Sequence, residues 1–117
     1  VERYRIVQAQ RLRIYLTEDD HRPGEPPLAE KLLDFFHTHG LAGASIFRAV
    51  AGIGRSGKPH ITSLLRLSQA LPLVVEVVDD ADRMRTILPQ LVALLEGTHP
   101  FSLDPVTLFQ PDTNTDV

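Results

Sequence analysis

Between Arg11 and Thr17 apolar and polar residues alternate strictly. Leu12, Ile14 and Leu16 fall on one face and Arg11, Arg13, Tyr15 and Thr17 on the other, the period of a half-buried strand. Residues 18–27 form a polar loop broken by Pro-Gly and Pro-Pro. The spacing then changes: Leu28, Leu32, Leu33 and Phe36 predict one face of a helix, with Gly40 as its C-terminal stop. Residues 44–51 predict a second strand and Leu73–Val78 a third, buried on one face and largely on the other. Asp79 and Asp80 offer an N-cap to a second amphipathic helix carrying Met84, Leu88, Leu91 and Leu95. Pro89 lies inside it, where a missing N–H predicts a kink or a break into two short helices. Residues 101–109 predict a fourth strand, with Pro105 marking an edge or a bulge. The state of residues 61–71 stays open between helix, strand arm and mobile loop.

The order is strand-helix-strand twice, with similar lengths in residues 12–50 and 73–109. Two such units make an α+β, ferredoxin-like βαββαβ sandwich: a four-stranded antiparallel sheet with two helices on one face. The expected organisation is an N-terminal extension over residues 1–10, the domain over 11–110 and a C-terminal tail over 111–117. Helices on one face leave the other bare. That face carries Val and Phe as well as Arg and Glu, with Val74, Val78 and Phe47 as the residues a partner would cover.

Composition narrows the reading. The chain has 117 residues, enough for one hydrophobic core, and no cysteine, which excludes disulfides and thiolate chemistry. No apolar run approaches a membrane span and no signal-peptide pattern opens the chain, so a cytoplasmic protein with no membrane insertion is expected. The net charge of −3 argues against nucleic-acid binding. Its distribution is uneven. From Phe35 to Val75 there is no acidic residue, and the formal charges are Arg48, Arg55, Lys58 and Arg66.

Within that positive stretch stands Gly52-Ile-Gly-Arg-Ser-Gly-Lys-Pro-His60. Glycines let the backbone approach a ligand closely, and Arg55, Lys58 and His60 supply donors to an anion. The candidate binding residues are therefore Gly52, Gly54, Arg55, Gly57, Lys58 and His60. The glycines satisfy G-x-G-x-x-G, but a dinucleotide site needs a helix N-terminus within a parallel sheet. Residues 52–58 also match most of a Walker A loop, but Pro59 stands where Ser or Thr should hold magnesium. A glycine-rich hairpin turn with incidental charges is the plain alternative. No nucleophile with its base can be nominated, since Ser56 and His60 share a turn too loose to align them, and the protein is read as a non-enzyme.

Glu18, Asp19, Asp20 and His21 form an acidic cluster at a strand end, without the spacing of a calcium loop. His37 and His39 lie on different faces and suit the helix C-terminus better than a shared metal. No metal site is assigned.

Residues 12–20 (Leu-Arg-Ile-Tyr-Leu-Thr-Glu-Asp-Asp), Gly40-Leu-Ala-Gly-Ala44, residues 48–57 (Arg-Ala-Val-Ala-Gly-Ile-Gly-Arg-Ser-Gly) and residues 71–79 (Leu-Pro-Leu-Val-Val-Glu-Val-Val-Asp) together resemble the PII-like proteins of an uncharacterised bacterial and archaeal family of domains of unknown function. More distantly, Gly52-Ile-Gly-Arg55 is similar to the Gly-Phe-Gly-Arg-Gln with which nitrogen-regulatory PII signalling proteins enter their effector loop, here a T-loop-like segment of about 53–71. The resemblance implies a homotrimer with clefts between subunits and Gly52, Gly54 and Arg55 at a loop base that holds an adenine nucleotide: AMP, ADP, ATP or cyclic AMP. It further implies a signalling role in which this anionic effector changes the loop's contact with a target, a membrane transporter or an enzyme. The chain departs from PII proteins in having no tyrosine between Gly52 and Pro72, hence no uridylylation acceptor. Gly97-Thr-His-Pro100 also lacks their glycine-rich, lysine-bearing phosphate segment. The rival expectation is an ion- or metal-linked accessory or tolerance protein of similar trimeric architecture, with residues 18–21 and His60 carrying the chemistry.

Overall fold

The computed structural model describes residues 2–53, 59–61 and 71–112. The elements run β1 (Tyr4–Thr17), α1 (Leu28–Thr38), β2 (Ser45–Arg48), β3 (Ala51–Ile53), β4 (Pro59–Ile61), β5 (Pro72–Asp80), α2 (Ala81–Leu95) and β6 (Phe101–Pro111). β1, β2, β5 and β6 form a four-stranded sheet in the order β2-β5-β1-β6, with every neighbouring pair antiparallel. This is the ferredoxin-like arrangement expected from the two strand-helix-strand units. β3 and β4 pair separately as a small second sheet.

The period-two pattern decides which face is buried. Leu12, Ile14 and Leu16 of β1 stand opposite Val77, Val75 and Leu73 of β5, and these six side chains meet Leu32 and Phe36 of α1 and Met84, Ile87, Leu91 and Leu95 of α2 in one core. Burying side chains of this size contributes on the order of 1.5–3 kcal/mol each, so the face turned to the helices sets the register.

Three elements differ from the sequence pattern. β1 begins at Tyr4 rather than Arg11: residues 4–10, read as an extension, pair with β6 from Tyr4↔Pro111 to Gln10↔Pro105. The two strands run on past the helices, so Tyr4 and Ile6 stay exposed and no buried stripe marks that stretch. The second strand is split, β2 ending at Arg48 and β3 starting at Ala51 in the other sheet. Finally, α2 passes through Pro89 as one helix. Pro89 is on the exposed face, where water can satisfy the carbonyl that loses its partner. Pro105 needs no bulge, because β6 is an edge strand paired on one side.

The helix ends follow their sequence signals. Asp80 caps α2, accepting from the backbone N–H groups of Asp82 and Arg83 at 2.9 and 3.2 Å. After α1, His39 lies with its Nδ1 2.8 Å from the Phe35 carbonyl oxygen, and Gly40 takes the left-handed conformation at φ +74°.

Candidate functional site

The acid-free stretch leaves the main sheet at Arg48 and returns at Pro72, and the two ends are tied together. The Ala49 N–H donates to the Pro72 carbonyl at 2.9 Å. Glu18, immediately after β1, joins both ends. Its Oε2 lies 2.9 Å from Nη2 of Arg48, and its Oε1 accepts from the Leu71 N–H at 3.3 Å. Its own N–H donates to the Leu71 carbonyl at 3.0 Å. Leu71 is fully buried, so this is a fixed anchor where the two ends of that stretch meet.

Above that base, β3 and β4 place the backbone of Gly52 opposite His60, between the pairs Ala51↔Ile61 and Ile53↔Pro59. The glycine-rich segment thus joins two paired strands. Gly54, Arg55, Gly57 and Lys58 lie outside the described residues, as does 62–70. Sequence periodicity could not find the part of Glu18. An ion pair between residues thirty positions apart leaves no periodic trace, and the only signal was an acid directly following a strand.

Removing the Glu18 carboxylate should loosen this anchor. Glu18→Ala leaves the buried Leu71 N–H without its side-chain acceptor and Arg48 without its counter-ion, a cost of about 1–3 kcal/mol for the local structure. Amide hydrogen exchange at Leu71 should accelerate roughly 5- to 100-fold, with exchange at Val75 in the core little changed. Equal acceleration at both would mean that Glu18 supports the whole fold.

The acidic cluster disperses once folded. Glu18 faces the loop base, while Asp19 accepts from the Thr17 hydroxyl at 2.7 Å. Asp20 accepts from the Thr17 N–H and lies 3.1 Å from Nε2 of His99. His21 Nδ1 is 3.1 Å from the Arg22 carbonyl oxygen. Among the described residues no three His, Asp or Glu side chains come together as metal ligands.

The sheet face away from the helices is open. The register sets Arg11 beside Val78 and Asp104, Arg13 beside Glu76 and Ser102, and Val74 between Tyr15 and Phe47. The charges there are paired within the chain: Arg11 to Asp104 at 2.8 Å and Arg13 to Glu76 at 3.6 Å. The hydrogen bond and charge of Asp104 raise the Arg11 pKa above its ordinary value. Tyr15 and Phe47 are 40% and 53% exposed. Apolar area surrounding self-neutralised charges is surface suited to a protein partner.

No helix among the described residues is long and apolar enough to cross a membrane. Residues 9–106 match the model of the DUF190 family, described as "Uncharacterized ACR". A UPF0166 protein of Aquifex aeolicus is 34% identical over 87 residues, covering 74% of this chain and 82% of that protein. A UPF0166 protein of Methanocaldococcus jannaschii is 29% identical over 92 residues, covering 79% and 83%. Among solved structures, CPII, a nitrogen regulatory PII-like protein from Thiomonas intermedia K12 bound to ADP, AMP and bicarbonate, superposes with a TM-score of 0.61 at 12% identity, covering 89% of this chain and 98% of CPII. CPII bound to ADP and bicarbonate gives 0.57 at 16% identity, covering 91% and 98%. The chain belongs to the DUF190 family, and its fold is that of the PII-like proteins.

Proposed function

We propose that this DUF190 member is a non-enzymatic cytoplasmic regulator. It binds a small anionic effector, an adenine nucleotide, in clefts between the subunits of a homotrimer, and the bound effector alters how the 53–71 segment meets a target protein. The observation that carries the reading is the loop base itself. Two ends of an acid-free, glycine-rich segment are held together by Glu18, Arg48 and Leu71 beside an open, partly apolar sheet face. Such a base fixes where a binding segment starts and ends.

In this reading the backbone N–H groups of Gly52, Gly54 and Gly57 approach the anion, and Arg55, Lys58 and His60 neutralise it. ADP and AMP bound to CPII support an adenine nucleotide as the first ligand to test. Charge-assisted hydrogen bonds contribute about 1.5–3 kcal/mol each, so two or three suffice to favour one loop arrangement over another.

Titration calorimetry with AMP, ADP, ATP and cyclic AMP tests the proposal. At least one should bind with measurable heat, and Arg55→Ala should weaken that binding roughly 10- to 100-fold. Absence of heat with all four, or unchanged affinity in Arg55→Ala, rejects the nucleotide reading.

A further inference from the structure

A cavity lies on the helix side of the sheet. The β1–α1 loop, the first turn of α1, the last turn of α2 and the loop into β6 enclose about 200 Å³. That volume holds one small metabolite and falls below the roughly 300–1,000 Å³ of sites for drug-sized ligands. Its apolar lining comes from Leu28 of α1 and from Leu94 and Leu95 of α2.

The polar wall has an unusual order: every carboxylate in it is matched to a cation or a histidine. Lys31 Nζ is 2.8 Å from Glu25 Oε1, Arg22 pairs with Glu96, and His99 Nε2 is 3.1 Å from Asp20 Oδ2. A ligand with one charge meets a wall whose cations Lys31 and Arg22 are already engaged by Glu25 and Glu96. A ligand carrying both charges meets complementary partners at each end. Lys31 and Glu25 remain 33% and 39% exposed at the side chain. An ammonium has three donors and a carboxylate about four acceptor sites, so both keep capacity beyond their mutual bond. The hydrogen bond from Lys31 also holds the Glu25 carboxyl below its ordinary pKa.

We propose that this cavity binds a small aliphatic α-amino acid as its zwitterion. The ligand carboxylate accepts from Lys31, its ammonium donates to Glu25, and its side chain lies on Leu28, Leu94 and Leu95. Recognition of this kind needs both ligand charges and the hydrocarbon together, which separates the class from simple anions and amines.

The test is a ¹⁵N–¹H correlation titration of the full chain with L-valine and L-leucine. Isovalerate and isobutylamine serve as single-charge controls of matching hydrocarbon. Millimolar valine or leucine should move the amides of Glu25, Lys31 and Thr98 saturably, and neither control should do so at the same concentration. Lys31→Ala and Glu25→Gln should each abolish the saturable shift while keeping a dispersed spectrum. No saturable shift with either amino acid, equal shifts with isovalerate or isobutylamine, or full retention in both variants overturns the assignment. Because no nucleotide is present, the result is independent of the effector reading above.

Discussion

Val74→Asp should break the proposed assembly into folded monomers. Val74 lies at the centre of the open sheet face, with Tyr15 and Phe47 as its cross-strand neighbours. Within the isolated chain the change is mild: Val74 is only partly buried and its side chain points away from the helices. The loss in the monomer is therefore about 1 kcal/mol, from β-propensity and neighbour packing. Between subunits the same carboxylate would be desolvated beside Arg11 and Arg13, which are already paired to Asp104 and Glu76. An unpaired buried charge costs about 3–5 kcal/mol, which raises the dissociation constant by roughly two to four orders of magnitude. Light scattering coupled to size exclusion should show the wild-type chain at three times the monomer mass and Val74→Asp at the monomer mass, with the circular dichroism of a folded protein. A wild-type monomer at micromolar concentration, or an unchanged mass for the variant, removes the intersubunit cleft and the function proposed for it.

The same face shows what could and could not be read from the chain. Val74, Val78 and Phe47 were legible as the face left open, because both helices pack on the other side of the sheet. The strands that border the core were legible as well, since the burial of Leu12, Ile14 and Leu16 imposes a period of two. Tyr4 to Gln10 carried no such imprint: this ribbon is held by backbone hydrogen bonds, which leave no side-chain pattern. Pro89 read as a break because its cost is intrinsic, whereas its tolerance depends on which side of α2 meets water. For the candidate site, the glycines and cations of 52–60 were visible as composition. The anchor beneath them was not, because Glu18, Arg48 and Leu71 meet only when β1, β2 and β5 are laid side by side. The pairing of Asp20 with His99 was hidden for the same reason.

Asp79 provides the clearest stability test, since here a buried charge holds two elements together. It lies near the end of β5 on the helix side of the sheet, with only 6% of its surface exposed. Its Oδ2 accepts from the Ala42 N–H at 2.8 Å, tying the α1–β2 loop to the sheet, and its Oδ1 accepts from the Asp80 N–H at 2.7 Å. Arg83 completes the junction from the first turn of α2: its Nη1 lies 3.7 Å from Asp79 Oδ1 and donates to the Gly40 carbonyl at 3.2 Å. Asp79→Ala removes the acceptor for two backbone donors and leaves Arg83 with the Gly40 carbonyl alone. Hydrogen bonds to a charged group contribute about 1.5–3 kcal/mol each; with the Ala42 N–H able to turn to water, the net loss should be about 2–3 kcal/mol. Asp79→Asn keeps one oxygen for Ala42 but turns an amide donor toward the Asp80 N–H, so it should recover no more than about half of that loss. Because the native contacts act at the start of α2, the capping acceptor Asp80 gives a useful contrast. Asp80→Ala should cost only about 1 kcal/mol, the usual worth of an exposed N-cap. Urea denaturation of the three variants orders them by midpoint at a common slope. If Asp79→Ala lies above Asp80→Ala, the charge at position 79 is not what binds the Gly40–Ala42 turn to the sheet.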